Sequence, residues 1–238
     1  MNLAGVSTRE IMEELARRTF CEDKPQKYSI FFGPPGAGKG TQAPIAKDEH
    51  CLCHLSTGDM LRAAVSAGTT MGKKAKSVMD AGELVGDDIV AGIVAEAIEG
   101  PECRNGFILD GFPRTLNQAK MLDKMLVQQN KKIDKVINLS IADDLLVKRI
   151  TGRLIHTPSG RSYNTYFNPP KKEGLDDITG EPLTKRKDDN EKALQTRLKA
   201  FHEATQPILQ HYGKSVHNIN ANQHMAVVTD DVRRAMNK

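Results

Sequence analysis

The stretch Gly33-Pro34-Pro35-Gly36-Ala37-Gly38-Lys39-Gly40-Thr41 sets a lysine directly after a glycine-rich turn. Glycines allow close backbone approach, and N–H groups converging on one point hold an anion, phosphate above all. Lys39 supplies a mobile positive charge, and a helix opening there adds the partial positive charge of its N-terminus. Gly33-x4-Gly38-Lys39 is the spacing of a loop that cradles a nucleotide's phosphates. In one respect it departs from the common form. The Ser or Thr that ordinarily follows the Lys and reaches magnesium is here Gly40, with Thr41 one place later. A direct hydroxyl–magnesium bond is therefore less secure.

Such a loop works only between a strand and a helix, and the flanking residues predict both. Tyr28–Phe32 is a short β-favouring run, and Lys39 to about His50 is compatible with a helix. Phe107–Asp110, Val136–Leu139 and Ser215–Ile219 repeat the strand signal. They lead into helical patterns at Thr115–Gln129, at 142–152 and around Met225, Val228 and Val232. This alternation predicts an α/β fold, a three-layer α/β/α arrangement with a central parallel sheet. Ligands in such folds sit beyond the carboxyl ends of the strands, where the loop and Asp110 both fall.

Two stretches break the alternation. Residues 56–85 read as two helices joined at Gly68 and flanked by Gly82. Residues 152–189 are rich in Pro, Gly and charge, too long for a plain connection and suited to a lid or small subdomain. The first 27 residues read as an extension, with Ile11, Met12, Leu15 and Ala16 spaced for one short amphipathic helix packed on the surface. Glu10, Glu13 and Glu14 argue against a transit peptide, and no long apolar run marks a secretory signal.

The 238 residues carry a net charge of +4 and are 39% hydrophobic and 27% charged, as in ordinary globular proteins. The charge suits anionic small molecules but is too mild for a nucleic-acid surface. Aromatic residues make up 5% and Trp is absent, which argues against base-stacking platforms. No run approaches the roughly 20 apolar residues of a membrane helix. Cys21, Cys51, Cys53 and Cys103 lack zinc-pair spacing and read as free thiols in a reducing compartment. Cytoplasm is the expected location, with a mitochondrial compartment left open.

Three motifs in order carry a resemblance: the loop at 33–41, Ser56-Thr57-Gly58-Asp59-Met60-Leu61-Arg62, and Asp110-Gly111-Phe112-Pro113-Arg114-Thr115. Together they resemble the adenylate kinase family, from about Tyr28 to the C-terminus. The resemblance implies an extension at 1–27 and a kinase domain at 28–238, with a monophosphate-binding insertion at 56–85 and a long-form lid at 152–189. It implies Mg²⁺-dependent transfer of the terminal phosphoryl group of ATP to AMP, giving two ADP, by a monomer without nucleic-acid or membrane partners.

Residue by residue, the resemblance places ATP against Gly36, Ala37, Gly38, Lys39, Gly40 and Thr41, with Arg149 and Arg153 on its phosphates. Ser162 and Tyr163 would lie near the donor nucleoside and Gln223 near its base. AMP would meet Thr57, Arg62, the Glu83-Leu84-Val85 backbone, Gly111, Phe112, Pro113, Arg114 and Gln118, whose amide would read the adenine edge. Arg186 and Arg197 would span both nucleotides. Lys39, Arg114, Arg149, Arg186 and Arg197 would be catalytic, neutralising charge on the transferring group. Asp110 would orient magnesium-bound water. Gly86 stands where the family commonly has Pro.

Some relatives bind zinc in the lid through four cysteines. The corresponding residues here are His156, Ser159, Asp176 and Thr179, which lack thiolates and favour a hydrogen-bonded staple over structural zinc. The rival readings are a related monophosphate kinase with GTP as donor and a P-loop sensor that binds without catalysis. Gln118 favours AMP as acceptor, while no side chain specifies the donor base.

Overall fold

The computed structural model describes residues 7–238; residues 1–6 of the extension lie outside the described residues. Its strands are β1 (Lys27–Phe32), β2 (Cys53–Ser56), β3 (Gly106–Asp110), β4 (Lys135–Ser140), β5 (Arg153–Ile155), β6 (Ser162–Asn164) and β7 (Val216–Asn220). Five of them form one sheet in the order β2-β3-β1-β4-β7, every neighbouring pair parallel. The helices are α1 (Thr8–Glu22), α2 (Lys39–His50), α3 (Thr57–Ser66), α4 (Thr70–Asp80), α5 (Asp87–Ile98), α6 (Leu116–Gln128), α7 (Leu146–Thr151), α8 (Glu191–Ala200), α9 (Ile208–Tyr212) and α10 (Met225–Asn237).

Alternation along β1 builds both faces of the sheet. Ile30 and Phe32 point into a cluster with Leu109, Phe112, Val94 and Leu122, beneath α5 and α6. Phe31 points the other way, joining Ile108, Ile137 and Leu139 under α2 and α10. Phe31, Ile30, Ile108 and Leu109 are almost wholly buried. Each such side chain contributes about 2 kcal/mol through the apolar area it hides. Strands buried on both faces read as continuous apolar runs, which is why β1, β3 and β4 are plain in the sequence.

Four elements lie outside the sequence reading: β2, α5, α8 and α9. The four-residue β2 offers only Cys53 and Leu55 as buried side chains. In α5, apolar residues cover most of the circumference, so no clear stripe marks it. Residues 152–189 are no open loop: β5 and β6 pair antiparallel, and bridges Ile155–Thr184 and Leu175–Pro182 close the segment.

The expectation of free thiols is overturned. Cys21 pairs with Cys51 and Cys53 with Cys103, and all four cysteines are bonded. Sequence spacing concealed this because each bridge joins elements brought together only by the fold. The extension's helix forms as expected, but the expected packing is not seen: Met12 and Leu15 are 61% and 52% exposed. Its C-terminal end is held instead by buried Cys21, whose carbonyl also accepts from Asn105 Nδ2 at 3.1 Å. Among the described residues, no helix is long and apolar enough to cross a membrane.

Candidate active site

The register of the sheet sets the site. Phe31 of β1 lies opposite Asp110 of β3, so the glycine loop after β1 and the turn after β3 leave the sheet side by side. Gly33 has φ +136°, and a Cβ there would stand 2.6 Å from the Leu139 carbonyl oxygen, so only glycine fits. Gly38, at φ 103°, leads into α2 with no side-chain cap, leaving the first N–H groups of that helix facing the loop.

Lys39 curls back over its own loop, donating from Nζ to the carbonyls of Gly33 at 2.7 Å and Pro34 at 3.0 Å. Burial in the cleft lowers its pKa to about 8, with Asp110 opposing and Arg114, Arg197 and Arg153 reinforcing the shift. Burial pushes the Asp110 carboxyl up, but His54 and Lys39 overcome this and hold it below the usual carboxylate range. The His54 contact is electrostatic, its Nε2 lying 3.8 Å from Asp110 without a hydrogen-bond partner.

A cleft of about 540 Å³ of empty space, part of it open to solvent, runs between these groups. Gly33, Lys39, Leu84, Gly111, Phe112, Pro113, Arg114 and Arg197 line it. Across the Phe112–Pro113 peptide, which is cis, Arg114 turns back and donates from Nε to the Gly111 carbonyl at 2.7 Å. Buried Thr57 donates to the same carbonyl at 2.9 Å, fixing the turn from the α3 side. A π-helical turn at Phe201–Thr205 completes the wall, Thr205 Oγ1 donating to the Arg114 carbonyl at 2.8 Å.

The other arginines are held by carboxylates that the sequence reading did not single out. Arg62 and Arg186 both donate to Asp59 Oδ1, at 2.7 and 2.8 Å. Arg153 makes a two-pronged contact with Asp189, and Arg197 donates to Asp188 Oδ2 at 2.8 Å. Crowding and burial lower Arg186 and Arg197 to about 10, burial being the larger cause in both. Asp188 and Asp189 directly follow the basic run Lys185-Arg186-Lys187, and that junction of opposite charges was the one signal available. Arg149 backs the loop, donating to the Ala221 carbonyl at 2.9 Å and more weakly to Gly36 at 3.5 Å.

Other expected residues are not in the lining of this cleft. Glu83 is exposed and Val85 is buried in the core beneath it. Gln118 is buried beside Arg114, its Oε1 accepting from the Arg114 backbone N–H at 2.7 Å. Ser162 is half-buried on β6, and Gln223, exposed, donates to the Asn220 carbonyl at 2.8 Å. The Tyr163 hydroxyl is engaged within the lid, donating to Asp176 at 2.9 Å and accepting from the Asp177 N–H.

The four residues at the zinc-corresponding places are joined by hydrogen bonds. His156 Nδ1 meets Ser159 Oγ at 2.6 Å, and the Thr179 hydroxyl donates to Asp176 at 3.0 Å. Arg161 pairs with both oxygens of Asp176 and holds that carboxyl far below its usual range. Glu181 contacts His156 Nε2 at 2.6 Å, a fifth member that the sequence reading missed.

Comparison with known proteins decides what this arrangement is. The adenylate kinase family model matches residues 31–217. The chain belongs to the adenylate kinase family. It is similar to adenylate kinase 4 of Arabidopsis thaliana, 56% identical over 99% of this chain and 96% of the relative. Adenylate kinase 4 of Oryza sativa subsp. japonica is 55% identical over 99% and 98%. An adenylate kinase of the fungus Laccaria bicolor is 54% identical, covering 87% of this chain and 82% of its own length. The plant matches span 237 residues and so take in the extension, which the expected resemblance from Tyr28 onward had left out.

Proposed function

We propose that the chain catalyses Mg-ATP + AMP ⇌ 2 ADP, and that it does so by positioning and charge neutralisation rather than by acid–base chemistry. The observation that carries this is the convergence of Lys39, Arg114 and Arg197 on one cleft between the glycine loop and the Gly111–Arg114 turn. A nucleoside monophosphate is already an ionised nucleophile near neutral pH, so no base has to deprotonate it. Lys39 and the first N–H groups of α2 take the donor phosphates, and Arg114 aims the acceptor phosphate at them. Asp110, whose carboxyl His54 and Lys39 hold below its usual range, would orient water on the magnesium ion that the nucleotide brings.

Residues 56–85 are assigned as the acceptor-binding insertion and 152–189 as the lid. Closure of both excludes the water that would otherwise hydrolyse ATP. The protein is taken to work as a monomer on ATP, AMP and ADP. The pairing of all four cysteines removes the free-thiol argument for a cytoplasmic location.

A coupled assay over a panel of donors and acceptors tests the reading. Fastest turnover is expected with ATP and AMP. Binding of ATP without turnover of any pair would overturn the assignment and leave a sensor.

A further inference from the structure

Asp87 opens α5, two residues after the Glu83-Leu84-Val85 segment, and it faces the start of α6. Its carboxylate gathers three donors from there. Gln118 Nε2 donates to Oδ1 at 2.8 Å, Asn117 Nδ2 to Oδ2 at 2.8 Å, and the Thr115 hydroxyl lies 3.1 Å from both oxygens. On its other side, Gln118 Oε1 accepts from the Arg114 backbone N–H at 2.7 Å.

A carboxylate only accepts and a backbone N–H only donates, so these two partners dictate which end of the Gln118 amide is which. The buried amide keeps one N–H and one acceptor lone pair unused. A 6-aminopurine offers an amino donor and the N1 acceptor, which this pair matches. A 6-oxopurine reverses both, with an oxygen acceptor and an N1–H donor, and would match only the turned amide.

We propose that Asp87 is a specificity-positioning residue: it locks the Gln118 amide in the orientation that accepts a 6-aminopurine monophosphate and rejects a 6-oxopurine one. This rests on Gln118 reading the acceptor base. Asp87 does not touch the nucleotide; it acts through Gln118, joining the α5 side of the acceptor pocket to the turn that carries Arg114.

The test compares kcat/KM for AMP and IMP, with ATP as donor, in the full chain. Asp87→Ala and the isosteric Asp87→Asn should lower the AMP-to-IMP ratio, Ala by about ten-fold, the scale of one net hydrogen bond. Asn117→Ala removes a bond to the same carboxylate without touching Gln118 and should leave the ratio as it was. Melting temperatures identify which variants fold, and Asp87→Asn carries the test if Asp87→Ala does not. An unchanged ratio in the folded Asp87 variants overturns the proposal, as does an equal fall in Asn117→Ala, which would show a merely structural effect. Gln118→Leu separates the two levels. If it raises the KM for AMP while the Asp87 variants keep the ratio, only the lock fails. If Gln118→Leu changes nothing, base reading by Gln118 fails and the lock with it.

Discussion

Arg186 and Asp59 meet at 2.8 Å across 127 residues of chain, joining the segment that follows the β5–β6 hairpin to the first turn of α3. The same Asp59 oxygen takes Arg62 at 2.7 Å, so one carboxylate sits where two cations would receive a phosphate. Asp59→Asn should lower kcat/KM for AMP by about ten-fold, because the two guanidinium groups then repel without a shared anion, an effect of order 1–2 kcal/mol. ATP binding measured by calorimetry should fall less, because Lys39 and the glycine loop still hold its phosphates. An unchanged AMP profile would show that Arg186 and Arg62 hold their places without it.

Asp59 also gives the fold an acid limb. Burial raises its pKa, but Arg186 and Arg62 prevail and bring it to about 2, from 3.8 when unfolded. Its contribution is fully present above pH 4 and is lost as pH falls towards 2. Acid titrations followed by circular dichroism should show a shallower loss of stability in Asp59→Asn than in the wild type over that window.

Lys39 works in the opposite direction. Its folded pKa of about 8 lies below the 10.5 of the unfolded chain, so the folded state bears the cost of a buried charge below pH 8. Between about 8 and 10.5 the unfolded chain holds more protons, and this cost is relieved as pH rises. Activity runs the other way, since the free enzyme loses the Lys39 charge above pH 8. The kcat/KM for ATP should fall there, while kcat, measured with the phosphates bound, holds to higher pH. Lys39→Met should cost orders of magnitude in rate and leave the melting temperature equal or higher. A fully active Lys39→Met enzyme would refute the mechanism.

The glycine loop, β1, β3 and β4 were legible because local rules suffice for them, and the turn Gly111–Arg114 was legible through the motif shared with the family. A phosphate loop needs its glycines at fixed spacing, and a strand buried on both faces must be apolar throughout. Asp59, Asp188 and Asp189 were not legible as partners, because an acidic residue in a charged segment is ordinarily solvated. Only the fold brings Asp59 to Arg186. Tyr163, which the resemblance sets near the donor nucleoside, also has a tie that the sequence did not show: its hydroxyl donates to Asp176, 13 residues away inside the same subdomain.

Asp176 is the centre of the lid's polar staple, accepting from Arg161, Tyr163 and Thr179. Asp176→Ala leaves those donors without their anion and should loosen residues 152–189 before the core. Hydrogen exchange should quicken there and not in β1 or β4. Uniform acceleration across the chain would show that the lid is not a separate unit.

The two disulfides differ in what they hold. Closing segments of 30 and 50 residues restricts the unfolded chain by about 3.5 and about 4 kcal/mol on a chain-entropy argument. Reduction with dithiothreitol should therefore lower the melting temperature substantially. Cys53–Cys103 ties β2 to the turn before β3, whereas Cys21–Cys51 fastens α1 to the far end of α2, about 18 Å along that helix from Lys39. Cys21→Ser should therefore release α1 to trypsin at exposed Arg17 and Arg18 while kcat stays at its wild-type value. Retained protection of α1 in this variant would mean that contacts other than the disulfide hold it, and a fall in kcat would mean that the extension reaches the cleft.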